Sequence, residues 1–375
     1  MLNNVTLVLY SLATGGAEKM AIDLSNEFIN NNINVNLFLF SKEMSLMNYL
    51  NEKVKVQILN DNFYKLGKIS KILSAFSFFL GLFFFFKKNK TDNIVAIGEW
   101  PNLIVPFLKL IFPKINTLIV EQNSISFHNE PGKYNLPNYF KILSKYSYSI
   151  SDKIIAVSKD VKLNLLKVNK DLTKIEVINN PINSDIINKL KNEIIDSYIL
   201  DFIKNRRVIV NVARLHPQKD HKTLILAINE VLKKLDVVLL IIGDGPEKSK
   251  LQELITTLKL NDNIILLGNQ SNPYKFMKLA KLYVQSSLFE GFPVVFSESL
   301  SLGLPILSTR CDSSVELIKD EKIGRIVNIG DFKSMSISIN DMLHYNYDTS
   351  YIINYFNELE LDIKYTYCKY KNFLI

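Results

Sequence analysis

The chain has only two cysteines among its 375 residues, Cys311 and Cys368, and neither stands in a spacing typical of a metal site or a redox pair. A disulfide framework is therefore excluded, and we expect a reduced, cytosolic setting. The sequence also lacks an apolar run of the roughly 20 residues that a bilayer span requires. Its first residues show no basic segment and no small-residue cleavage site, so they predict a first strand and not a signal peptide.

Arginine is absent from the first half of the chain. Residues 1–180 contain 21 Lys, no Arg and 14 acidic residues, which gives 21 − 14 = +7; the remaining 24 basic and 23 acidic residues give +1. The basic half is expected to meet an anionic partner, such as an anionic membrane surface or a lipid diphosphate. No nucleic acid is expected, because the sequence has no Arg-rich stripe or basic-aromatic stacking motif.

One Phe-rich segment has two readings. Residues 75–86 read AFSFFLGLFFFF, and Lys87, Lys88 and Lys90 follow directly. The segment fits a buried helix end packed on the sheet. It also fits a helix lying in the membrane interface, to which residues 103–112 would contribute. The sequence alone leaves both open.

Short apolar runs alternate with helical patterns along the chain, which predicts βαβ units and parallel sheets. The length suits two domains with separate cores. A turn-rich join at 179–181 places the boundary, so we predict Rossmann-like, doubly wound domains at 1–182 and 183–345. Residues 346–375 are predicted to form a helical tail that packs back on the first domain.

The most informative segment is SSLFEGFPVVFSESLSLGLPILS, residues 286–308. Glu290 and Glu298 stand eight residues apart across a turn in which Pro293 is predicted to occupy the first helical turn. Backbone donors at a helix start suit a phosphate, and carboxylates suit sugar hydroxyls. Helical geometry would put the two carboxylates roughly 10 Å apart. An ordinary loop and helix with two solvated glutamates remains the alternative.

Further motifs accompany this pair. A Gly15-Gly16 turn lies between the first strand and helix, and Arg214 and Lys219 follow the first strand of the second half. A Gly-Asp-Gly turn stands at 243–245. A dinucleotide fingerprint would need a further spaced glycine, so a dehydrogenase is excluded. No Asp-x-Asp metal motif stands in a suitable place.

In this order, on an alternating α/β chain, these motifs resemble glycosyltransferase family 4. The family comprises retaining nucleotide-sugar transferases of the GT-B fold, in which two Rossmann-like domains face across a cleft. The resemblance runs from about Val5 to about Val327 and favours the branch that builds surface polysaccharides and lipid-linked oligosaccharides. It implies transfer of a hexose or N-acetylhexosamine from a UDP- or GDP-sugar to a saccharide acceptor, such as an O-antigen or capsule intermediate on a polyprenyl diphosphate. It also implies no metal or other cofactor and a peripheral position on the inner face of the plasma membrane.

The resemblance assigns roles residue by residue. Arg214 and Lys219 would grip the donor diphosphate, while Glu290 would hold donor-sugar hydroxyls and Glu298 the ribose. The other residues implied on the donor side are Gly15, Gly16, Gly268, Asn269, Gly291, Phe292, Pro293, Val294 and Glu316.

The sequence departs from the family pattern in two places. Where many members have a histidine near the sugar, this chain reads Glu121-Gln122-Asn123, so Glu121, Asn123 or His128 would act on the acceptor side. The loop before Glu316 lacks the usual Gly-Pro. His216 and His221 are expected at the surface.

Two alternative functions stay open: a nucleotide-sugar epimerase or hydrolase of the same fold, and a non-catalytic nucleotide-sugar-binding partner of another transferase. The first predicts donor turnover without an acceptor.

Overall fold

The computed structural model describes residues 2–13, 15–59, 68–89, 91–122, 125–126, 134–135 and 138–374. The chain folds into two compact units. Unit 1 comprises residues 1–182 and 361–375, and unit 2 comprises residues 183–360.

The strands, in chain order, are β1 (Asn4–Leu9), β2 (Asn34–Leu39), β3 (Lys55–Ile58), β4 (Asn93–Ile97), β5 (Asn116–Glu121), β6 (Ile125–Ser126), β7 (Tyr134–Asn135), β8 (Lys153–Ala156), β9 (Ile175–Val177), β10 (Arg207–Val212), β11 (Val237–Ile242), β12 (Ile264–Leu266), β13 (Leu282–Gln285), β14 (Ile306–Thr309) and β15 (Gly324–Val327).

The helices are α1 (Gly16–Asn30), α2 (Lys68–Asn89), α3 (Glu99–Ile104), α4 (Asn138–Ile150), α5 (Lys159–Val168), α6 (Ser184–Leu190), α7 (Ser197–Ile203), α8 (His221–Val231), α9 (Lys248–Thr257), α10 (Tyr274–Met277), α11 (Val294–Ser301), α12 (Asp312–Leu317), α13 (Phe332–His344), α14 (Thr349–Glu358) and α15 (Ile363–Leu374).

Each unit is built on one parallel sheet. The sheet of unit 1 has seven strands in the order β3-β2-β1-β4-β5-β8-β9, and that of unit 2 has six in the order β12-β11-β10-β13-β14-β15; β6 and β7 pair separately in unit 1. Strands covered by helices on both faces become continuous apolar runs, and every residue of β11 (VVLLII) is buried. The predicted fold class, two doubly wound parallel α/β sheets, is confirmed.

The end of the chain is divided between the units. Helix α15 packs on α1 in unit 1, where the rings of Phe28 and Tyr367 lie 5.4 Å apart. Helix α14 instead packs on α11 in unit 2. A Cβ at Gly303, just after α11, would lie 2.2 Å from Cγ2 of Thr349, the first residue of α14. The structure therefore differs from the predicted tail of residues 346–375, since only its last part joins unit 1.

Helix α2 has one buried and one exposed apolar face. Phe78 and Phe85 pack edge-on against Phe38 of β2, with ring centroids 5.8 and 5.3 Å apart. Phe76 and Phe84, two turns apart, are 60% and 62% exposed. The interpretation as a buried helix thus holds for one face of α2, and the membrane-interface interpretation stays a prediction. No helix within the described ranges is long and apolar enough to cross a bilayer.

Candidate active site

The strand order in the sheet of unit 2 reverses between the neighbouring strands β10 and β13. The chain proceeds from β10 outward to β11 and β12, and then returns to place β13 on the other side of β10. In open parallel sheets, ligands bind at the carboxyl ends of the strands at such a point. The loop after β10 carries Arg214 and Lys219, and the loop after β13 carries Glu290. Three of the predicted residues therefore follow the two strands at this point.

Lys219 and Glu290 form an ion pair, in which Nζ lies 2.5 Å from Oε1. Their side chains are only 17% and 8% exposed. Ser287 Oγ donates to the same Oε1 at 2.6 Å. Within the described part of the chain, Oε2 of Glu290 accepts no hydrogen bond. The ammonium uses one of its three donors here, so both groups keep capacity for a ligand.

The turn that carries Lys219 is attached to the loop that carries Glu290. Leu288 N donates to Gln218 O at 2.8 Å, and Gln218 Nε2 donates to Phe289 O at 2.8 Å. Ser286 Oγ donates to Lys219 O at 2.9 Å. Each bond contributes about 1 kcal/mol net. Together they hold the ammonium and the carboxylate in place before any ligand binds.

His221 is buried behind this turn, so its predicted surface position is wrong. It begins α8 directly after Asp220, whose left-handed φ of +44° turns the chain inward. The ring nitrogen Nε2 lies 3.1 Å from Asn211 Oδ1 in β10. Burial, and secondarily the Lys219 cation, lower the pKa of His221 to about 4. The histidine is therefore neutral near pH 7 and supports the Lys219 turn without competing for its anionic partners.

Glu298 lies in α11 and is buried. Its Oε1 accepts a hydrogen bond from Tyr274 Oη at 3.0 Å. Tyr283 of β13 is fully buried, and its pKa is raised well above the usual value by burial first and then by the carboxylates of Glu290 and Glu298. The charges of both predicted glutamates thus raise the pKa of the same side chain, the phenol of Tyr283. The reading of two solvated glutamates is wrong for this pair.

Helix α11 begins at Val294, one residue later than predicted. Pro293 is its N-cap, and Phe292 and Pro293 are buried. By helix geometry the first N–H groups, those of Val294 and Val295, have no partner within the helix. They provide backbone donors and the positive end of the helix dipole, as the sequence predicts for a phosphate or sugar oxygen.

Two glycines allow the loop after β10 to pack against the turn after β11. A Cβ at Gly243, which has φ +143°, would lie 2.0 Å from Ala213 O, and one at Gly245 would lie 2.4 Å from Leu215 O. Gly243 N also donates to Gly268 O at 2.9 Å. The loop carrying Arg214 is thereby fixed along a glycine-lined edge. Arg214 itself is exposed and, among the described residues, forms no ion pair.

The remaining donor-side residues are distributed around these loops. Asn269 is exposed after β12, and Gly291 is partly exposed before α11. Glu316 is partly exposed in α12, whose start is closed by a capping box of Cys311 and Ser314. That cap shows how α12 starts without the Gly-Pro of the family pattern.

Unit 1 has a carboxylate pair at the carboxyl ends of β4 and β5. Glu121 is fully buried and accepts a hydrogen bond from Tyr148 Oη. Burial and the Glu121 carboxylate raise the pKa of Glu99 to about 7. Sequence reasoning missed Glu99; the signal was its position directly after a Gly that follows a strand. The predicted residues Asn123 and His128 lie outside the described residues.

Gly15 and Gly16 open α1 in unit 1. Gly15 is the N-cap in an extended conformation, and a Cβ there would lie 2.2 Å from Glu18 Oε2. In the described ranges, no group of three or more His, Cys, Asp or Glu residues could hold a metal ion.

The chain is similar to known glycosyltransferases over both units. A family model described as glycosyltransferase family 4 matches residues 14–186, and one described as glycosyl transferases group 1 matches residues 195–357. An N-acetylgalactosamine-N,N'-diacetylbacillosaminyl-diphospho-undecaprenol 4-alpha-N-acetylgalactosaminyltransferase of Campylobacter jejuni is 28% identical over 348 residues, 90% of this chain and 89% of the relative.

Two further similarities are informative. An uncharacterised glycosyltransferase of Methanocaldococcus jannaschii is 37% identical over 231 residues; the match spans 59% of this chain and 56% of the relative's length. The structure of Anabaena HepE in complex with UDP superposes with a TM-score of 0.79 at 17% identity, covering 99% of this chain and 98% of that chain.

Fold and matches together define the class: the chain is a glycosyltransferase with the GT-B fold of two Rossmann-like domains. It belongs to glycosyltransferase family 4. The predicted family and enzyme class are confirmed.

Proposed function

We propose that this protein transfers a sugar from a nucleotide-sugar to a saccharide acceptor carried on a polyprenyl diphosphate. The observation that carries the donor part is the Lys219–Glu290 pair, which combines a cation for phosphate with a carboxylate for hydroxyls at the switch point of one sheet. The lipid-linked acceptor is supported by the name of the Campylobacter relative, which acts on a diphospho-undecaprenol substrate.

Lys219 and Arg214 bind the donor diphosphate in this proposal. The leaving group is a nucleoside diphosphate, which needs charge neutralisation more than protonation. Two cations and the N-terminus of α11 supply that charge, so transfer proceeds without a divalent metal. Retention follows if the acceptor attacks the face from which the diphosphate departs and the departing phosphate takes the acceptor proton.

Glu290 and Glu298 orient the donor. Glu290 has one oxygen held by Lys219 and Ser287, and the other binds hydroxyls of the sugar. Glu298 binds the ribose, with Tyr274 fixing one of its oxygens. A hexose or N-acetylhexosamine on UDP fits these contacts, and a GDP-sugar uses the same groups.

Unit 1 binds the acceptor in this proposal. Glu99, partly exposed after β4, offers carboxyl oxygens to hydroxyls of a saccharide, and the buried Glu121 at the end of the neighbouring strand acts on Glu99 through its charge. Gly15 and Gly16 give the start of α1 backbone donors for a phosphate, which would displace the Glu18 carboxylate that lies beside Gly15.

A peripheral position on the inner face of the plasma membrane is part of the same proposal. Phe76, Leu80 and Phe84 form an exposed stripe at four-residue spacing on α2, and Lys87 and Lys88 follow it. Apolar side chains beside lysines suit an interface with anionic lipids. A lipid-linked acceptor would be met there.

The test of the donor assignment is binding. UDP-, GDP-, ADP- and dTDP-sugars are compared by thermal unfolding, with EDTA and then with Mg²⁺, for the wild type and for Lys219→Ala. A ligand at a hundredfold excess over Kd stabilises the fold by about 2.7 kcal/mol. We expect one nucleotide class to stabilise the wild type with EDTA present, and Lys219→Ala to lose the shift. The control Lys250→Ala, at a 75% exposed side chain in the same unit, should keep it.

Two results would contradict the proposal: no stabilisation by any nucleotide-sugar, or an equal shift in Lys219→Ala. Donor consumption without an acceptor, at a rate equal to that with an acceptor, would favour a hydrolase or epimerase.

A further inference from the structure

Unit 2 contains a cavity at the edge of its sheet opposite the candidate donor site. Arg207 is the first residue of β10, Lys281 directly precedes β13, and Pro305 directly precedes β14. Amino ends of parallel strands share one edge, whereas Arg214 and Glu290 follow the carboxyl ends. The six residues of β10, at about 3.3 Å each, separate the two edges by about 20 Å. The cavity is therefore separate from the donor site.

The lining of this cavity is cationic. It has a volume of about 620 Å³ and includes Lys191, Arg207, Lys278 and Lys281, with no Asp or Glu among its lining residues. A volume of this size suits a small ligand. Four positive charges around one concave surface repel one another and raise the local concentration of anions.

None of these four cations has a carboxylate partner within the described ranges. Lys191 Nζ and Lys278 Nζ donate to the amide oxygens of Asn188 and Asn192, at 2.6 and 2.7 Å. Arg207 is half-buried, and its guanidinium donates no hydrogen bond to a described residue. A guanidinium in this position has its five donors available, and its planar fork fits two oxygens of a phosphate.

The rest of the lining is mainly apolar and aromatic, and Asn346 and Thr349 are its polar residues. Met277, Leu304 and Met342 contribute apolar surface, and Tyr345 and Tyr347 stand edge to face, with ring centroids 4.7 Å apart. A bare inorganic ion would leave this surface unused. The lining fits an anion joined to a compact apolar or planar body.

We propose that this cavity is a second ligand site of the protein, which binds a diphosphate ester through Arg207, Lys191, Lys278 and Lys281 and receives the esterified group on its apolar and tyrosine-lined side. A nucleoside diphosphate and an isoprenoid diphosphate share this chemistry. The site goes beyond the proposed transfer reaction and does not depend on it.

The test is lysine footprinting of the whole protein. The wild type is acetylated with an amine-reactive ester, and the rate at each lysine is measured by peptide mass spectrometry. Pyrophosphate, UDP and farnesyl diphosphate are titrated as probes. At a probe concentration of about ten times Kd, the rates at Lys278 and Lys281 should fall about tenfold, whereas the rate at exposed Lys250 should not change.

Variants separate this site from other effects. Arg207→Gln should raise the probe Kd, measured from the protection of Lys278 and Lys281, about tenfold or more, because a charge-assisted hydrogen-bond partner is lost. Lys250→Gln removes one charge from the same unit and should leave protection unchanged. If Arg207→Gln fails to fold, the acetylation rate at Lys278 is measured in Lys281→Gln instead.

The probes distinguish the two sources of the ligand. Stronger protection by UDP than by pyrophosphate supports a nucleotide, and stronger protection by farnesyl diphosphate supports an isoprenoid lipid. The proposal is overturned if no probe slows acetylation at Lys278 and Lys281 relative to Lys250. It is also overturned if folded Arg207→Gln retains full protection. Because the readout is local and needs no turnover, it remains valid whatever the transfer assay shows.

Discussion

His221 makes the stability of unit 2 depend on pH in a way that one substitution removes. The residue is 2% exposed, and its pKa of about 4 lies below the usual value of 6.5 because burial, together with the Lys219 cation, disfavours the imidazolium. The folded state therefore binds fewer protons than the unfolded state between these two pH values. The stabilisation is complete above pH 6.5 and is lost as the pH falls through that window.

The magnitude follows from the difference of about 2.5 pKa units between the two states. At about 1.36 kcal/mol per unit, unfolding of unit 2 should become about 3 kcal/mol easier at pH 4 than at pH 8 on account of His221 alone. Glu99 in unit 1 acts in the opposite sense, since its raised pKa favours the folded state at low pH. The effect of His221 must therefore be measured as the difference in free energy of unfolding between the wild type and a His221 variant.

The assay is urea unfolding of the wild type and of His221→Gln at pH 8, 6 and 4.5, followed by a probe of unit 2. Glutamine keeps a neutral amide donor for Asn211 but does not titrate. We expect the stability advantage of the wild type over the variant to shrink by about 2.5 kcal/mol between pH 8 and pH 4.5. His344→Gln, at a surface histidine, should follow the wild type. A constant difference across this range would refute the assigned burial of His221.

Two further predictions rest on packing. Gly243→Ala places a Cβ 2.0 Å from a backbone oxygen of the neighbouring loop. It should lower the free energy of unfolding by about 2 kcal/mol more than the control Gly330→Ala, whose Cβ would meet open space. Equal urea midpoints for the two variants would contradict the tight turn at Gly243. On α2, Phe76→Ser with Phe84→Ser should reduce flotation with anionic liposomes while the thermal midpoint stays unchanged, whereas Leu163→Ser at another exposed position should float like the wild type. Unchanged flotation of the α2 variant would remove the membrane part of the proposal.

The central strands of the sheets were predictable because they are short apolar runs buried on both faces. The run VVLLII of β11, for example, is typical of a central strand of a parallel sheet that helices cover on both faces. The order of the strands within each sheet could not be predicted from local sequence patterns, because it depends on contacts between distant segments. The division of the last 30 residues shows the same limit: Thr349 belongs to unit 2 through its fit against Gly303, which no local pattern reveals.

The site was predicted in part. Lys219 and Glu290 were recognised separately, and their contact joins residues 71 positions apart. The groups that hold them, Gln218 and Ser287, carry no motif of their own and emerge only from the fold. His221 was misplaced because a polar residue at a helix start is usually exposed, whereas here Asn211 of the neighbouring strand receives its ring.

In the function proposed here, sugar transfer depends on the Lys219–Glu290 pair. The most direct test of this dependence is transfer from the nucleotide-sugar that stabilises the wild type to a synthetic polyprenyl-diphosphate saccharide, with EDTA present, for Glu290→Ala, Lys219→Ala and the control Lys250→Ala. Loss of one donor to a transition-state charge costs about 10²- to 10³-fold in kcat. We expect at least this loss for Lys219→Ala, and a loss of about 10²-fold or more for Glu290→Ala because the donor sugar is no longer oriented. Both variants should keep an unchanged far-UV circular dichroism spectrum, and the control should show normal turnover. Wild-type turnover in either folded site variant would contradict this dependence.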